Sequence, residues 1–72
     1  SVHAAPSTGY QLTSREKEVL HLLVDGNTMN KIAEKLFISY HTVDNHIRNI
    51  YSKLQVHSRT AVVTKALKER LY

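Results

Sequence analysis

Residues 28–54 read TMNKIAEKLFISYHTVDNHIRNIYSKL, and the spacing inside this stretch decides the fold. Val43, Ile47, Ile50 and Leu54 recur at intervals of four, three and four, which lays one apolar stripe along a helix over residues 40–54. Ahead of it, Ile32, Ala33 and Leu36 form the buried face of a shorter helix over 29–36, opened by Thr28 as N-cap. Between the two stand Phe37, Ile38 and Ser39, the last offering another capping hydroxyl. Helices joined by so short a turn must cross steeply to share one core. Such a crossing wants a small residue in the first helix, an apolar residue in the turn and another early in the second helix. Ala33, Ile38 and Val43 supply them. Phe37 stands where many such turns hold glycine, so this turn has to be made on a non-glycine backbone. The pattern is that of a helix-turn-helix, with plain helical-bundle packing as the alternative.

The flanks complete an all-α fold of four helices. Thr13-Ser14-Arg15-Glu16 is a capping box that opens a helix over 14–25, with Val19, Leu20, Leu23 and Val24 on its apolar face. Asp25-Gly26-Asn27 ends it, Gly26 being free to take the left-handed conformation. Beyond Gln55-Val56-His57, Ser58 caps a fourth helix over 58–71 that buries some of Ala61, Val62, Val63, Ala66, Leu67 and Leu71. No window alternates apolar and polar residues, so strands are not expected. Residues 1–11 have no apolar period and read as a flexible linker from an upstream domain, with residues 12–72 as the helix-turn-helix domain.

Charge and composition narrow the function. Residues 1–38 carry four basic and four acidic side chains, whereas residues 39–72 carry six basic and two acidic, so the whole formal excess of +4 lies in the second half. A basic half suits a polyanion, because each neutralised phosphate releases condensed counterions. The chain has no cysteine, which excludes disulfides and thiolate metal sites and agrees with a cytoplasmic location. No apolar run reaches the roughly 20 residues a membrane span needs. A membrane-surface helix over 58–72 is disfavoured by Glu69 and by the need to bury one face. An enzyme is also disfavoured. The histidines at 3, 21, 41, 46 and 57 include no pair three or four apart, and no serine sits on a strand-turn-helix elbow. No catalytic residue, metal site or cofactor is expected.

With the apolar stripe of the third helix turned inward, His41, Asp44, Asn45, Arg48 and Ser52 lie on its outer face. An α-helix fits the major groove with its N-terminal half nearest the base edges. Arg48 is then placed to bridge O6 and N7 of guanine, and Asn45 to pair with N6 and N7 of adenine. Asp44 is unusual so near phosphates, but it can accept from N4 of cytosine or exclude wrong bases. Contacts to the DNA backbone are expected from Thr28, Asn30 and Lys31 at the capped start of the second helix, and from Tyr40, His41, Thr42 and Lys53. Replacing Lys53 should therefore weaken all sequences about equally. A helical interaction or dimerisation module that does not read DNA is the competing function.

The stretch from Leu12 to Ala66 strongly resembles helix-turn-helix domains of the LuxR/FixJ (NarL) type. The resemblance rests on Leu12-Thr13, Arg15-Glu16, Glu18-Val19-Leu20, Gly26, Ile32-Ala33, Ile38-Ser39, Thr42-Val43, His46, Asn49-Ile50, Lys53-Leu54, Val56, Arg59, Val63 and Ala66. It implies a four-helix DNA-binding domain whose third helix enters the major groove, placed C-terminal to a receiver or ligand-sensing domain in a bacterial two-component or ligand-sensing regulator. It also implies base contacts at Asp44, Asn45 and Arg48 and backbone contacts at Thr42 and Lys53. Pairing through the fourth helix on a two-fold or tandem site is implied too, with Thr60, Thr64, Lys65 and Lys68 as the expected dimer residues. Two places depart from the family. Asp44 stands where lysine is common, and Thr28-Met29-Asn30-Lys31 replaces the usual Ser-Asn-Lys-Glu. The preferred DNA sequence should accordingly differ from that of lysine-bearing relatives.

Overall fold

The computed structural model describes residues 10–71, which form four α-helices: α1 (Ser14–Val24), α2 (Met29–Leu36), α3 (Tyr40–Leu54) and α4 (Arg59–Glu69). There is no strand among the described residues. Each helix begins in the same way. The hydroxyls of Thr13, Thr28, Ser39 and Ser58 accept from the backbone N–H three residues on, at Glu16, Lys31, Thr42 and Ala61. Only α1 has the full reciprocal box, in which the Glu16 carboxylate also accepts from the Thr13 N–H at 3.0 Å.

The helices also end alike. A left-handed residue follows each one, Gly26, Phe37, Gln55 and Arg70 in turn. The next residue then folds its N–H back to a carbonyl five positions earlier: Asn27 to Leu22, Ile38 to Ala33, Val56 to Tyr51 and Leu71 to Ala66. These are Schellman ends, which satisfy carbonyls the helix would leave orphaned. After α2, α3 and α4 the returning residue is apolar (Ile38, Val56, Leu71), so each turn also brings a side chain back onto the core.

The core gathers around α3, which packs against both α1 and α2, while α4 packs against α1. Val43, Ile50 and Leu54 are fully buried and Ile47 nearly so, meeting Val19, Leu20 and Leu23 of α1, Ile32 of α2, and Val62 and Ala66 of α4. α2 and α3 pack together across the short turn as expected, with Ala33 and Ile38 half-buried at the joint.

Several boundaries shift from those expected. Asp25 lies just outside α1, and Ser58 is a cap, not part of α4. The fourth helix stops at Glu69 because Arg70 turns left-handed, and Leu71 is buried by folding back, not by lying on the helix. Leu67, counted among the candidates for burial, is 54% exposed. Tyr10 and Gln11, read as linker, contact the folded body. The Tyr10 hydroxyl donates to Glu69 at 3.0 Å, and the Gln11 carbonyl accepts from Lys53 at 3.3 Å. The rest of the expected linker, residues 1–9, lies outside the described residues.

Candidate nucleic-acid interface

The face of α3 opposite its core stripe is open. His41, Asn45, Arg48 and Ser52 are exposed, and the Asp44 side chain is about one-third exposed at 32%. Asn49, one turn beyond Asn45 and exposed, extends this face; it follows from the same spacing but was not among the expected contacts. The three expected base readers thus share one surface. Within it, Arg48 Nε donates to Asp44 Oδ2 at 2.8 Å, an i,i+4 ion pair that the sequence reading treated as two independent readers. A shallow groove lined by Arg48, Tyr51, Ser52, Gln55, Val56 and His57 continues along the C-terminal half of the helix.

Three ties hold this helix in place. At its start, Ser39 Oγ accepts from the Thr42 N–H at 3.0 Å and lies 2.9 Å from the Thr42 hydroxyl. At its end, Lys65 Nζ of α4 donates to the Leu54 carbonyl at 3.0 Å, placing a cation on the negative end of the helix dipole. Lys65 also lies 5.1 Å from the centre of the Tyr10 ring. The third tie is an ion pair between Lys53 Nζ and Glu16 Oε1 at 2.7 Å, which joins the last turn of α3 to the first turn of α1. Glu16 is 3% exposed, the one charged residue in the core among the described residues. Burial alone would raise its pKa. The Lys53 hydrogen bond, the Thr13 N–H and the charges of Lys53 and His46 outweigh that, and the carboxyl is held below its ordinary value. Arg59 makes a parallel tie between α4 and α1, its Nη2 donating to the carbonyls of Leu23 at 3.1 Å and Asn27 at 2.8 Å.

The expected backbone-contacting residues divide. Thr28, Asn30, Lys31, Tyr40 and His41 are exposed and Thr42 is half-buried. The Thr28 hydroxyl is engaged in capping, and Lys31 Nζ lies 3.5 Å from Glu34 in a pair exposed on both sides. Lys53 is bound to Glu16 and Gln11, with its side chain one-third exposed at 33%. Lys35, also on α2, is exposed and forms no ion pair among the described residues; its helical position gave no signal that set it apart. Of the expected dimer residues, Thr60, Thr64 and Lys68 share an exposed stripe of α4 with Leu67, whereas Lys65 is turned toward α3. No group of three His, Cys, Asp or Glu able to hold a metal occurs among the described residues, and no described helix is long and apolar enough to cross a membrane.

Two helices packed across a three-residue turn, the second with a polar outer face, a capped start and an end tied to its neighbours, are the form of a helix-turn-helix DNA-binding domain. Residues 10–66 match the family model of bacterial regulatory proteins of the luxR family, and the chain belongs to that family. It is a DNA-binding domain of the kind found in response-regulator transcription factors, and not an enzyme. It is similar to the spore germination protein GerE of Bacillus subtilis (strain 168), 49% identical over 57 residues that cover 79% of this chain and 77% of that protein. Similarity to the transcriptional regulatory protein DegU of Brevibacillus brevis is 47% over 57 residues, covering 79% of this chain and 24% of that protein. The crystal structure of the response regulator ChrA of a heme-sensing two-component system superposes with a TM-score of 0.81 at 42% identity, covering 100% of this chain and 33% of that one. Measured against DegU and the response regulatory protein YgeK of Escherichia coli (strain K12), the chain spans 24% and 42% of the relative's length.

Proposed function

We propose that this domain reads duplex DNA in a sequence-specific way by seating α3 in the major groove. Asp44, Asn45 and Arg48 face the base edges. Thr28, Asn30, Lys31, Tyr40, His41, Thr42 and the remaining N–H of Lys53 lie along the phosphates. The observation that carries this reading is the two-sidedness of α3: Val43, Ile47, Ile50 and Leu54 are buried while Asn45 and Arg48 are open on the opposite side. In the same reading the domain is the output part of a cytoplasmic regulator whose upstream receiver or sensor controls it. Two proteins that it matches over a minor part of their length, YgeK and ChrA, are named as response regulators, which supports this. Two copies then pair through α4, along Thr60, Thr64, Leu67 and Lys68, on a two-fold or tandem site.

The test is a gel shift on a site selected from random duplexes. Arg48→Ala should lose about 1–3 kcal/mol of binding on that site and lose preference at one base pair. An unchanged shift and unchanged preference would remove Arg48 from the readout.

A further inference from the structure

We propose that Asp44 reads no base itself and instead orients Arg48, so that Arg48 meets guanine end-on through its two Nη groups. This deepens the reading of α3 as the groove helix and rests on it. The geometry begins with the ion pair. Asp44 Oδ2 accepts from Arg48 Nε at 2.8 Å, and Arg48 makes no other hydrogen bond among the described residues. A guanidinium has five N–H donors in a fixed planar fork. With Nε engaged, the side-on edge that combines Nε with one Nη is closed to a base. Both Nη groups remain, and together they form the fork that matches O6 and N7 of guanine.

Exposure assigns the two roles. The Arg48 side chain is 76% exposed and projects from the helix, whereas the Asp44 side chain is 32% exposed. The shorter carboxylate therefore lies behind the longer arginine, toward the helix surface. The order also fits: an acid four residues N-terminal to a base is the favourable arrangement on a helix. An unpaired carboxylate would be repelled by phosphates on entering the groove. Paired to Arg48, it enters with its charge balanced, and it restricts the arginine's rotamers before the base is met. Asp44 is thus a positioning residue for sequence discrimination, and its negative charge works against binding to DNA in general.

That combination gives a signature that neither a structural role nor direct base reading would produce. The 72-residue chain, with Asp44→Ala, Arg48→Ala and the double variant, is taken through selection from random duplexes and titrated with selected and scrambled duplexes at one salt concentration. Asp44→Ala should broaden the same base pair that Arg48→Ala broadens, lowering guanine discrimination there by roughly 3- to 10-fold. Binding to scrambled duplex should hold or tighten. The double variant should be no less selective than Arg48→Ala alone, since the residues act as one unit. Asp44→Glu, which can re-form the pair, should restore part of the preference. Matching thermal unfolding of all variants establishes that the fold is intact.

Broadening at a different base pair, with the Arg48 guanine still sharp, would make Asp44 a direct reader and overturn the proposal. Unchanged preference in Asp44→Ala would overturn it as well. Should Arg48→Ala alone leave every position sharp, the α3 readout itself fails and the orienting role falls with it.

Discussion

Removing the cation from the Lys53–Glu16 pair is the sharpest test of how the reading helix is held. Lys53→Met keeps most of the aliphatic stem and deletes the charge. Glu16 then remains buried, 3% exposed, with the Thr13 N–H as its surviving polar partner. Stripping one partner from a fully buried pair costs about 3–5 kcal/mol. Here the Lys53 side chain is 33% exposed, so solvent screens part of the interaction, and a loss nearer 2 kcal/mol is expected. For a domain of this size that lowers Tm by roughly 8–16 °C. Lys31→Met, which breaks the exposed pair with Glu34, is the control and should change stability by no more than about 0.5 kcal/mol. The pH dependence supplies the sign. The folded pKa of Glu16 lies below its ordinary 4.5, so the stability it contributes is fully present above that value and is lost as pH falls through the folded pKa. In Lys53→Met the carboxyl has lost its cation and burial pushes its pKa up, so it takes a proton earlier as acid is added. The gap between parent and variant should therefore narrow with falling pH, measured by thermal melts from neutral pH to about pH 3. A variant that melts within about 2 °C of the parent, or a gap that stays constant across that range, would refute the buried pair as a clamp.

Two further changes probe the ends of the helices. Phe37 is 94% exposed and left-handed at φ 57°, so Phe37→Gly relieves backbone strain without removing core packing and should stabilise by about 0.5–1 kcal/mol in urea unfolding. Arg59→Ala strips both donors from the Leu23 and Asn27 carbonyls and should lower the urea midpoint by an amount equivalent to about 1–2 kcal/mol, with Arg59→Lys recovering only part.

How much of this was legible in the sequence depended on whether the signal was local. The N-caps were, because a hydroxyl three residues ahead of the N–H that donates to it needs no knowledge of the rest of the chain; Thr13, Thr28, Ser39 and Ser58 all cap as their positions predict. The inward stripe of α3 was legible for the same reason. The helix ends were harder. Gly26 announces a left-handed residue, but Gln55 and Arg70 do not, and their conformation is imposed by Val56 and Leu71 returning to the core. The long-range ties were not legible by spacing at all. Glu16 and Lys53 are 37 positions apart, and Arg59 and Leu23 are 36 apart. Nothing in the chain near Lys53 distinguishes a cation aimed at phosphate from one aimed at a buried carboxylate.

That last ambiguity changes the meaning of the basic second half. Its six cations are Arg48, Lys53, Arg59, Lys65, Lys68 and Arg70. Lys53, Arg59 and Lys65 are bound within the domain, to Glu16, to the Leu23 and Asn27 carbonyls at the end of α1 and just beyond it, and to the end of α3. Arg48 is shared with Asp44, which leaves Lys68 and Arg70 without a partner among the described residues, and Lys68 lies on the exposed stripe of α4. The charge asymmetry that first pointed to DNA is therefore largely a framework that fixes helices against one another. Under the proposed function it still serves recognition, by an indirect route. A helix whose side chains must meet base edges within a few tenths of an ångström gains more from having its end fixed against its neighbours than from another surface charge, because the ordering entropy is then met in folding and not on binding. In the proposed reading, discrimination rests on Asn45 and the Arg48 fork, and Lys53, Arg59 and Lys65 act mainly by keeping that face still.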